Sequence, residues 1–155
     1  MVKLRRVAMV WTLVVGTALF LPSAFAQSAG SAERFLYDSL NRERRAAGLP
    51  ALHWDDALAS AARQHATLMA SQRSVQHTLP GEASLPGRAT RAGAHFSWLS
   101  ENIIESADIR SAHVAFMNSP THRANILDSD MDTVGVAVVE RSGQIFVVED
   151  FEKAK

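Results

Sequence analysis

The chain has 155 residues, a length typical of one domain, with 16 basic and 16 acidic side chains and six histidines. It has no cysteine, which excludes disulfides, a thiol nucleophile and thiolate metal sites. Residues 1–26 contain three basic and no acidic side chains, so residues 27–155, with 13 basic against 16 acidic side chains, have a formal charge of −3. An acidic domain of this kind has no electrostatic footprint for nucleic acid.

Residues 1–26 have the pattern of a signal peptide. Three basic residues precede an apolar run of 15 residues, Val7–Leu21, and Ala24-Phe25-Ala26 supplies small residues for signal peptidase. The run is shorter than the ~20 residues of a membrane-spanning helix. We therefore expect cleavage after Ala26, with an uncleaved anchor as the alternative. The product is predicted to be secreted, either periplasmic or extracellular, with no stable membrane span after cleavage.

Helical patterns follow a predicted polar linker over residues 27–30. The second of them is rich in alanine and is interpreted as a buried central helix, because small side chains let a neighbouring element pack closely. The predicted helices run from a Ser31 cap to Gly48, from a cap at Asp55 or Asp56 to about Gln72, and over Asp108–Asn118, with a short turn over Thr121–Leu127.

The remaining segments predict a lid and a β-hairpin. Residues 74–100 lack periodicity and contain five proline or glycine breakers, a pattern typical of a wall or lid over a site. Thr133–Glu140 and Gln144–Phe151 are rich in Val and Ile and flank a turn at Arg141-Ser142-Gly143, which predicts a C-terminal β-hairpin. Helices followed by strands indicate an α+β fold, with helices covering a small antiparallel sheet.

Three separated residues are the candidates for chemistry: His77, Glu101 and His122. No pair of them has the spacing of a one-helix metal motif, so spacing alone is a weak signal. Among the other polar residues, His65 is predicted to be a packing residue with one hydrogen bond. Glu82 is predicted to be a solvated loop residue that could alternatively turn into the cleft.

Read together, the segments resemble the CAP superfamily (also called SCP; cysteine-rich secretory, antigen 5 and pathogenesis-related class 1 proteins) in its bacterial, cysteine-free form. The order and spacing of short motifs support the resemblance, including 24 residues from His77 to Glu101 and 13 from His122 to Gly135. It implies a CAP domain over residues 31–152 that folds as a three-layer α-β-α sandwich. The motifs are Asn41-Arg42-x-Arg44, Gly48-Leu49, Trp54-Asp55, His65-Ala66, His77, Glu101-Asn102-Ile103, Ser119-Pro120-x-His122-Arg123-x-Asn125, Val134-Gly135-Val136 and Asp150-Phe151.

The resemblance also implies a cleft with two histidines and two acidic residues. His77 and His122 match the histidines, and Glu101 matches one acid. Ser119 stands where the second acid is expected, and Asn125 matches a polar amide after the second histidine. Ser119 is otherwise typical of a cap or turn residue, since it precedes a proline at a helix start. No residue is assigned a catalytic role.

Three functions remain open from the sequence. The first is a binding module: His77, Glu101 and His122 can hold a divalent cation such as zinc, and CAP relatives bind small apolar ligands such as lipids or sterols. Cell-envelope components are further candidate partners. The second is a metal-assisted hydrolase acting on peptide or cell-wall material, which the missing second acid disfavours. The third is a structural envelope domain in which the same residues form a hydrogen-bonded cluster.

Overall fold

The computed structural model describes residues 24–155, with side chains from residue 30 onward. The predicted signal peptide lies outside the described residues as far as residue 23, and cleavage after Ala26 stays a prediction. The linker predicted over residues 27–30 is instead helical, since the first helix begins at Ala24. This segment contains no proline, so nothing in its backbone stops the helix from extending upstream of Ser31. None of the helices in the described residues is both long and apolar enough to span a membrane.

Helices and strands alternate along the chain more than the sequence analysis predicted. A strand replaces the end of the predicted lid, and a two-residue strand precedes the second helix. The described residues form α1 (Ala24–Ala46), β1 (His53–Trp54), α2 (Asp56–Gln72), α3 (Leu85–Ala92), β2 (Phe96–Ser106), α4 (Ile109–Asn118), α5 (Pro120–Ile126), β3 (Thr133–Arg141) and β4 (Gln144–Ala154).

The four strands form one sheet in the order β1-β3-β4-β2, with β1 parallel to β3 and the other pairs antiparallel. The predicted C-terminal hairpin is confirmed as β3–β4. Its turn has Ser142 and Gly143 at φ 53° and 76°, the left-handed region that a tight hairpin turn requires. Because β2 lies at an edge of the sheet, residues from the layers on both faces can meet around it.

Helices cover both faces of the sheet, which confirms the predicted three-layer sandwich. One face packs on α1, α4 and α5 through a core that includes Leu36, Phe116 and Val136. The other face packs on α2 through alanines and residues such as Met69 and Val148. Since side chains alternate along a strand, the cross-strand pair Glu101–Asp150 faces α2.

The alanine-rich helix α2 is buried and central, as predicted. Asp55 is its N-cap, and its side chain accepts a hydrogen bond from the Leu58 amide. Gly135 on β3 faces the helix backbone so closely that an added Cβ would lie 2.2 Å from the Ala59 nitrogen. The glycine therefore sets how near α2 lies to the sheet.

Candidate functional site

His77 and Glu101 form a direct pair at the β2 edge of the sheet. His77 lies in the segment that follows α2, and its Nδ1 is 2.8 Å from Oε1 of Glu101. The His77 side chain is 63% exposed, whereas that of Glu101 is 3% exposed. The pair thus joins a solvent-facing imidazole to a buried carboxylate, and Nε2 remains the outward ring nitrogen.

Arg88 on α3 occupies the second oxygen of Glu101. Its buried guanidinium donates to Oε2 of Glu101 and also to the backbone carbonyls of His77 (3.1 Å) and Ala83 (3.2 Å). One cation therefore holds both Glu101 and the segment that presents His77. No sequence pattern singles out Arg88, whose only local signal is a charged side chain in a short helix.

A second histidine–carboxylate pair lies beneath the first. His65 on α2 is fully buried, and its Nδ1 is 2.8 Å from Oε1 of Glu82, so the prediction of a hydrogen-bonded packing residue is confirmed. The prediction of a solvated Glu82 is wrong: its side chain is 8% exposed. The reason is that the loop folds back over α2, where Leu79 is buried and its amide donates to Glu82. Nε2 of His65 lies 3.7 Å from Glu101, which links the two pairs.

Asp150 adds a third carboxyl group to this interior. It is the cross-strand neighbour of Glu101, and neither of its oxygens has a hydrogen-bond partner within the described residues. Burial, and then the negative charge of Glu101, raise the pKa of Asp150 well above its usual value. Both effects favour the neutral form of Asp150 over the charged form.

His122 approaches from the opposite layer. It lies on α5, half-buried, with its ring edge-on to Phe116 at a centroid distance of 5.1 Å. Its backbone carbonyl accepts a hydrogen bond from Asn102 Nδ2 at 3.1 Å. Burial, and then the nearby charge of His77, lower the pKa of His122. The His77 ring is thus near enough to influence the protonation of His122.

Asn125 and Ser119 lie where secondary-structure elements join, and neither pairs with His77 or His122 in the described residues. Asn125 donates to the carbonyl of Glu101 at 3.3 Å and to Oδ1 of Asn102 at 2.9 Å, so it fastens α5 to β2. Ser119 joins α4 to α5, and its hydroxyl lies 3.2 Å from that of Thr121. In the part of the chain that the structure describes, Ser119 forms no side-chain hydrogen bond with His77, Glu101 or His122.

Behind this edge, Glu149 is a further buried carboxyl. It accepts from Asn102 Nδ2 at 3.2 Å through Oε2, while Oε1 has no hydrogen-bond partner in the described part of the chain. Burial raises the pKa of Glu149 to about 7, an effect that the Asn102 hydrogen bond only partly offsets. Asn102 therefore connects this buried acid to the helix that presents His122.

The donor set indicates how a cation would be held. Among residues 30–155, no three His, Asp or Glu side chains are grouped so as to hold a metal ion. Both oxygens of Glu101 are already engaged, which fits an orienting carboxylate better than a free ligand. The ring nitrogens that remain for a cation, on His77 and His122, have no carboxylate contact in the described residues. A carboxylate behind one of them is the usual second layer of such sites.

Three apolar residues of the predicted lid pack into the fold, whereas Val75 and Trp98 are exposed. Leu79 is buried in the core, and Phe96 and Leu99 pack against Leu58 and Ala89. The structure shows an aromatic cleft elsewhere, between α1 and β1 at the other edge of the sheet. Its volume is about 360 Å³, and it is lined by Gly30, Glu33, Arg34, Tyr37, Asp38 and Trp54. The Tyr37 and Trp54 rings meet edge to face at 5.6 Å.

The comparisons with known proteins agree on one family. The model of the CAP family, described as the cysteine-rich secretory protein family, matches residues 37–151. The YkwD protein of Bacillus subtilis is 31% identical over 120 residues, which are 77% of this chain and 46% of that protein.

Solved structures are similar over most of this chain. An extracellular protein with an SCP domain from Bacillus anthracis has a TM-score of 0.79 at 26% identity, covering 88% of this chain and 45% of that one. An outer surface protein of Borrelia burgdorferi has a TM-score of 0.75 at 23% identity, covering 81% and 94%. NaASP2, crystallised with Zn²⁺, has a TM-score of 0.55 at 15% identity, covering 83% and 81%. The chain thus spans about half the length of both Bacillus proteins.

Proposed function

Because the chain belongs to the CAP family, we propose that it is a secreted binding module that holds a divalent cation between His77 and His122. The predicted signal peptide supports secretion, as do the extracellular and outer-surface relatives. The cation, zinc in the first instance, would be bound by the two imidazoles and water. Glu101 would orient His77 rather than bind the cation itself.

The His77–Glu101 pair is the observation that supports this assignment. A carboxylate on Nδ1 fixes the tautomer and the direction of the ring and leaves Nε2 basic and outward. Burial lowers the pKa of His122, which keeps that ring neutral and able to bind a cation at a lower pH than a free histidine. Zinc is the first choice of probe because NaASP2, which has the same fold, was crystallised with it.

Titration calorimetry with ZnCl₂ at neutral pH tests the proposal. We expect saturable binding by the wild type and a loss of about tenfold or more in affinity for His77→Ala and for His122→Ala. Glu101→Gln should weaken binding about tenfold while leaving both imidazoles present. His53→Ala is the matched control, since His53 is an exposed histidine on β1 at the opposite edge. Equal zinc affinity in wild type and in the variant that combines His77→Ala with His122→Ala would refute the site.

An apolar ligand is the second candidate function, and the α1–β1 cleft favours it. Its volume of about 360 Å³ is in the range of small-molecule sites. The polar ends of Tyr37 and Trp54 already bond to the Leu52 carbonyl and to Asp56. Both residues line the cleft, so the apolar surface of their rings can contact an apolar ligand such as a fatty acid or sterol. A displacement assay with a fluorescent fatty acid should show binding that Trp54→Ala weakens, and the absence of saturable binding would remove this candidate.

Hydrolysis receives less support from the geometry. A general base needs a free acceptor near the attacking water, and both Glu101 oxygens accept hydrogen bonds from His77 and Arg88.

A purely structural role predicts a different outcome from the cation site. In that case His122→Ala would lower the melting temperature, and neither wild type nor variant would bind zinc.

A further inference from the structure

Trp98 is the most exposed large apolar side chain of the described residues. The residue is 65% exposed, although it lies on the edge strand β2, opposite Lys153 in the strand register. Its indole N–H has no hydrogen-bond partner within residues 30–155. Neither core packing nor the cation site accounts for such a residue, since large aromatic side chains are normally buried for most of their surface.

A β-bulge sets the direction of this side chain. The register between β2 and β4 shifts between Phe96 and Trp98. A bulge changes the direction in which the following side chain points, and bulges are frequent beside functional sites. Phe96 packs inward against the cluster of Leu58 and Ala89, whereas Trp98 is turned out to solvent.

Trp98 lines an open cleft of about 450 Å³ together with Ser97, Asp128, Asp130 and Lys153. The charged side chains of this cleft are available to a ligand. Asp130 is largely exposed, and its Oδ1 lies 4.0 Å from the accessible Lys153 ammonium. Solvent screens this ion pair, so a ligand can separate the two side chains. The cleft therefore offers one flat apolar face with hydrogen-bond donors and acceptors around it.

A buried arginine holds the acidic wall of the cleft in place. Arg44 is fully buried and donates to the carbonyls of Ile126 (2.9 Å), Asp128 (2.7 Å) and Met131 (3.0 Å). On the other side, the Ser97 hydroxyl donates to the carbonyl of Lys153 at 3.0 Å. Both walls are thus fixed before any ligand arrives, which lowers the entropic cost of binding.

We propose that this cleft, defined by Ser97, Trp98, Asp128, Asp130 and Lys153, is a binding site for an uncharged sugar chain. The apolar C–H face of a pyranose ring stacks on an indole, and its hydroxyl groups bond to carboxylates and an ammonium. Nucleic acid and anionic lipid surfaces are the other ligands that contact an exposed tryptophan. Both are negatively charged, and the two carboxylates of the cleft against one ammonium disfavour them. The formal charge of −3 over residues 27–155 disfavours them further.

Titration calorimetry of the purified protein with glucose and N-acetylglucosamine hexasaccharides tests this site. We expect saturable binding of at least one hexasaccharide, unchanged by EDTA, because the cleft does not include His77 or His122. Trp98→Ala should weaken it about tenfold, and Asp130→Ala about threefold. Val114→Ala is the matched control, since it removes another exposed apolar side chain on α4.

Several results would overturn the proposal. They are the failure of both hexasaccharides to bind wild-type protein, equal affinity in Trp98→Ala and wild type, and Trp98-dependent binding of phosphatidylglycerol vesicles or single-stranded DNA in place of the sugars. Because Trp98 is exposed, its replacement is not expected to unfold the protein, and circular dichroism of each variant checks this.

Discussion

At the scale of single residues, the interior beside β2 contains more carboxyl groups than cationic side chains. Glu82, Glu101 and Asp150 lie around the guanidinium of Arg88, and burial and then the charge of Glu101 raise the pKa of Asp150. His65 and His77 bond to two of these acids. Buried charges of this kind are tolerated only while each has its partner. Removal of one partner therefore lowers the free energy of unfolding by more than the intact pair contributes to it.

Arg88→Met should therefore destabilise the protein strongly. The change leaves Glu101 and Glu82 without their common cation, and we expect a loss of about 3–5 kcal/mol in the free energy of unfolding. Urea denaturation followed by circular dichroism measures it. Arg91→Met on the exposed side of α3 is the control and should have little effect. Similar unfolding midpoints for the two variants would contradict a central role for Arg88.

Glu149 predicts a pH dependence of stability. Its pKa is about 7 in the folded protein against 4.5 ordinarily, so the folded state binds the proton more tightly. The stability that this provides is complete below about pH 4.5 and is lost as the pH rises through 7, by about 3 kcal/mol at most.

Glu149→Gln should remove this part of the pH dependence, because the amide does not ionise. Urea denaturation at pH 5 and pH 8 compares the variant with wild type, and Glu140→Gln at an exposed position of β3 is the control. If wild type and Glu149→Gln lose the same stability between the two pH values, the carboxyl does not titrate in this range.

At the scale of elements, the close approach of α2 to β3 determines the geometry of the site. The helix presents His65 to Glu101 on β2 and to Glu82 in the following loop, and its small side chains allow contact with the sheet. A shift of α2 would move His65 and the segment that follows the helix, which holds His77. The opposite layer is fastened separately, through Asn102 and Asn125 between β2 and α5.

Gly135→Ala tests this approach. The new Cβ would lie 2.2 Å from the Ala59 nitrogen and 2.3 Å from the Leu58 carbonyl carbon, and backbone atoms cannot yield as a flexible side chain does. We expect a loss of about 3 kcal/mol in stability, measured by thermal unfolding. Gly30→Ala in α1 has open space around its Cβ and should be neutral or slightly stabilising. A wild-type melting temperature for Gly135→Ala would show that the helix can move away without cost.

At the scale of the whole molecule, the sheet separates three candidate surfaces. The His77–His122 edge and the Trp98 cleft involve strand β2, whereas the aromatic cleft of Tyr37 and Trp54 lies at β1 on the opposite edge. A cation, a sugar chain and a small apolar ligand could therefore be bound by different parts of one domain.

Secretion itself is tested on the intact chain. Expressed in a bacterial host, the protein should appear outside the cytoplasm with Gln27 as its first residue, because the small residues before it match a signal-peptidase site. N-terminal sequencing or intact-mass measurement determines the start. An uncut chain recovered from the membrane fraction would show that residues 1–26 act as an anchor.

The sequence by itself predicted the main helices and the C-terminal hairpin, and it selected the candidate residues of the site. Periodicity and capping are local, so α2, α4 and the β3–β4 hairpin could be predicted, and motif spacing selected His77, Glu101 and His122. Only the tertiary structure decided that Arg88 and Asp150, 13 and 49 residues away along the chain, share the interior with Glu101. It also decided that Glu82 turns inward and Trp98 outward. The physical reason is that such contacts depend on which strands become neighbours and where a bulge shifts their register, and no local pattern encodes either.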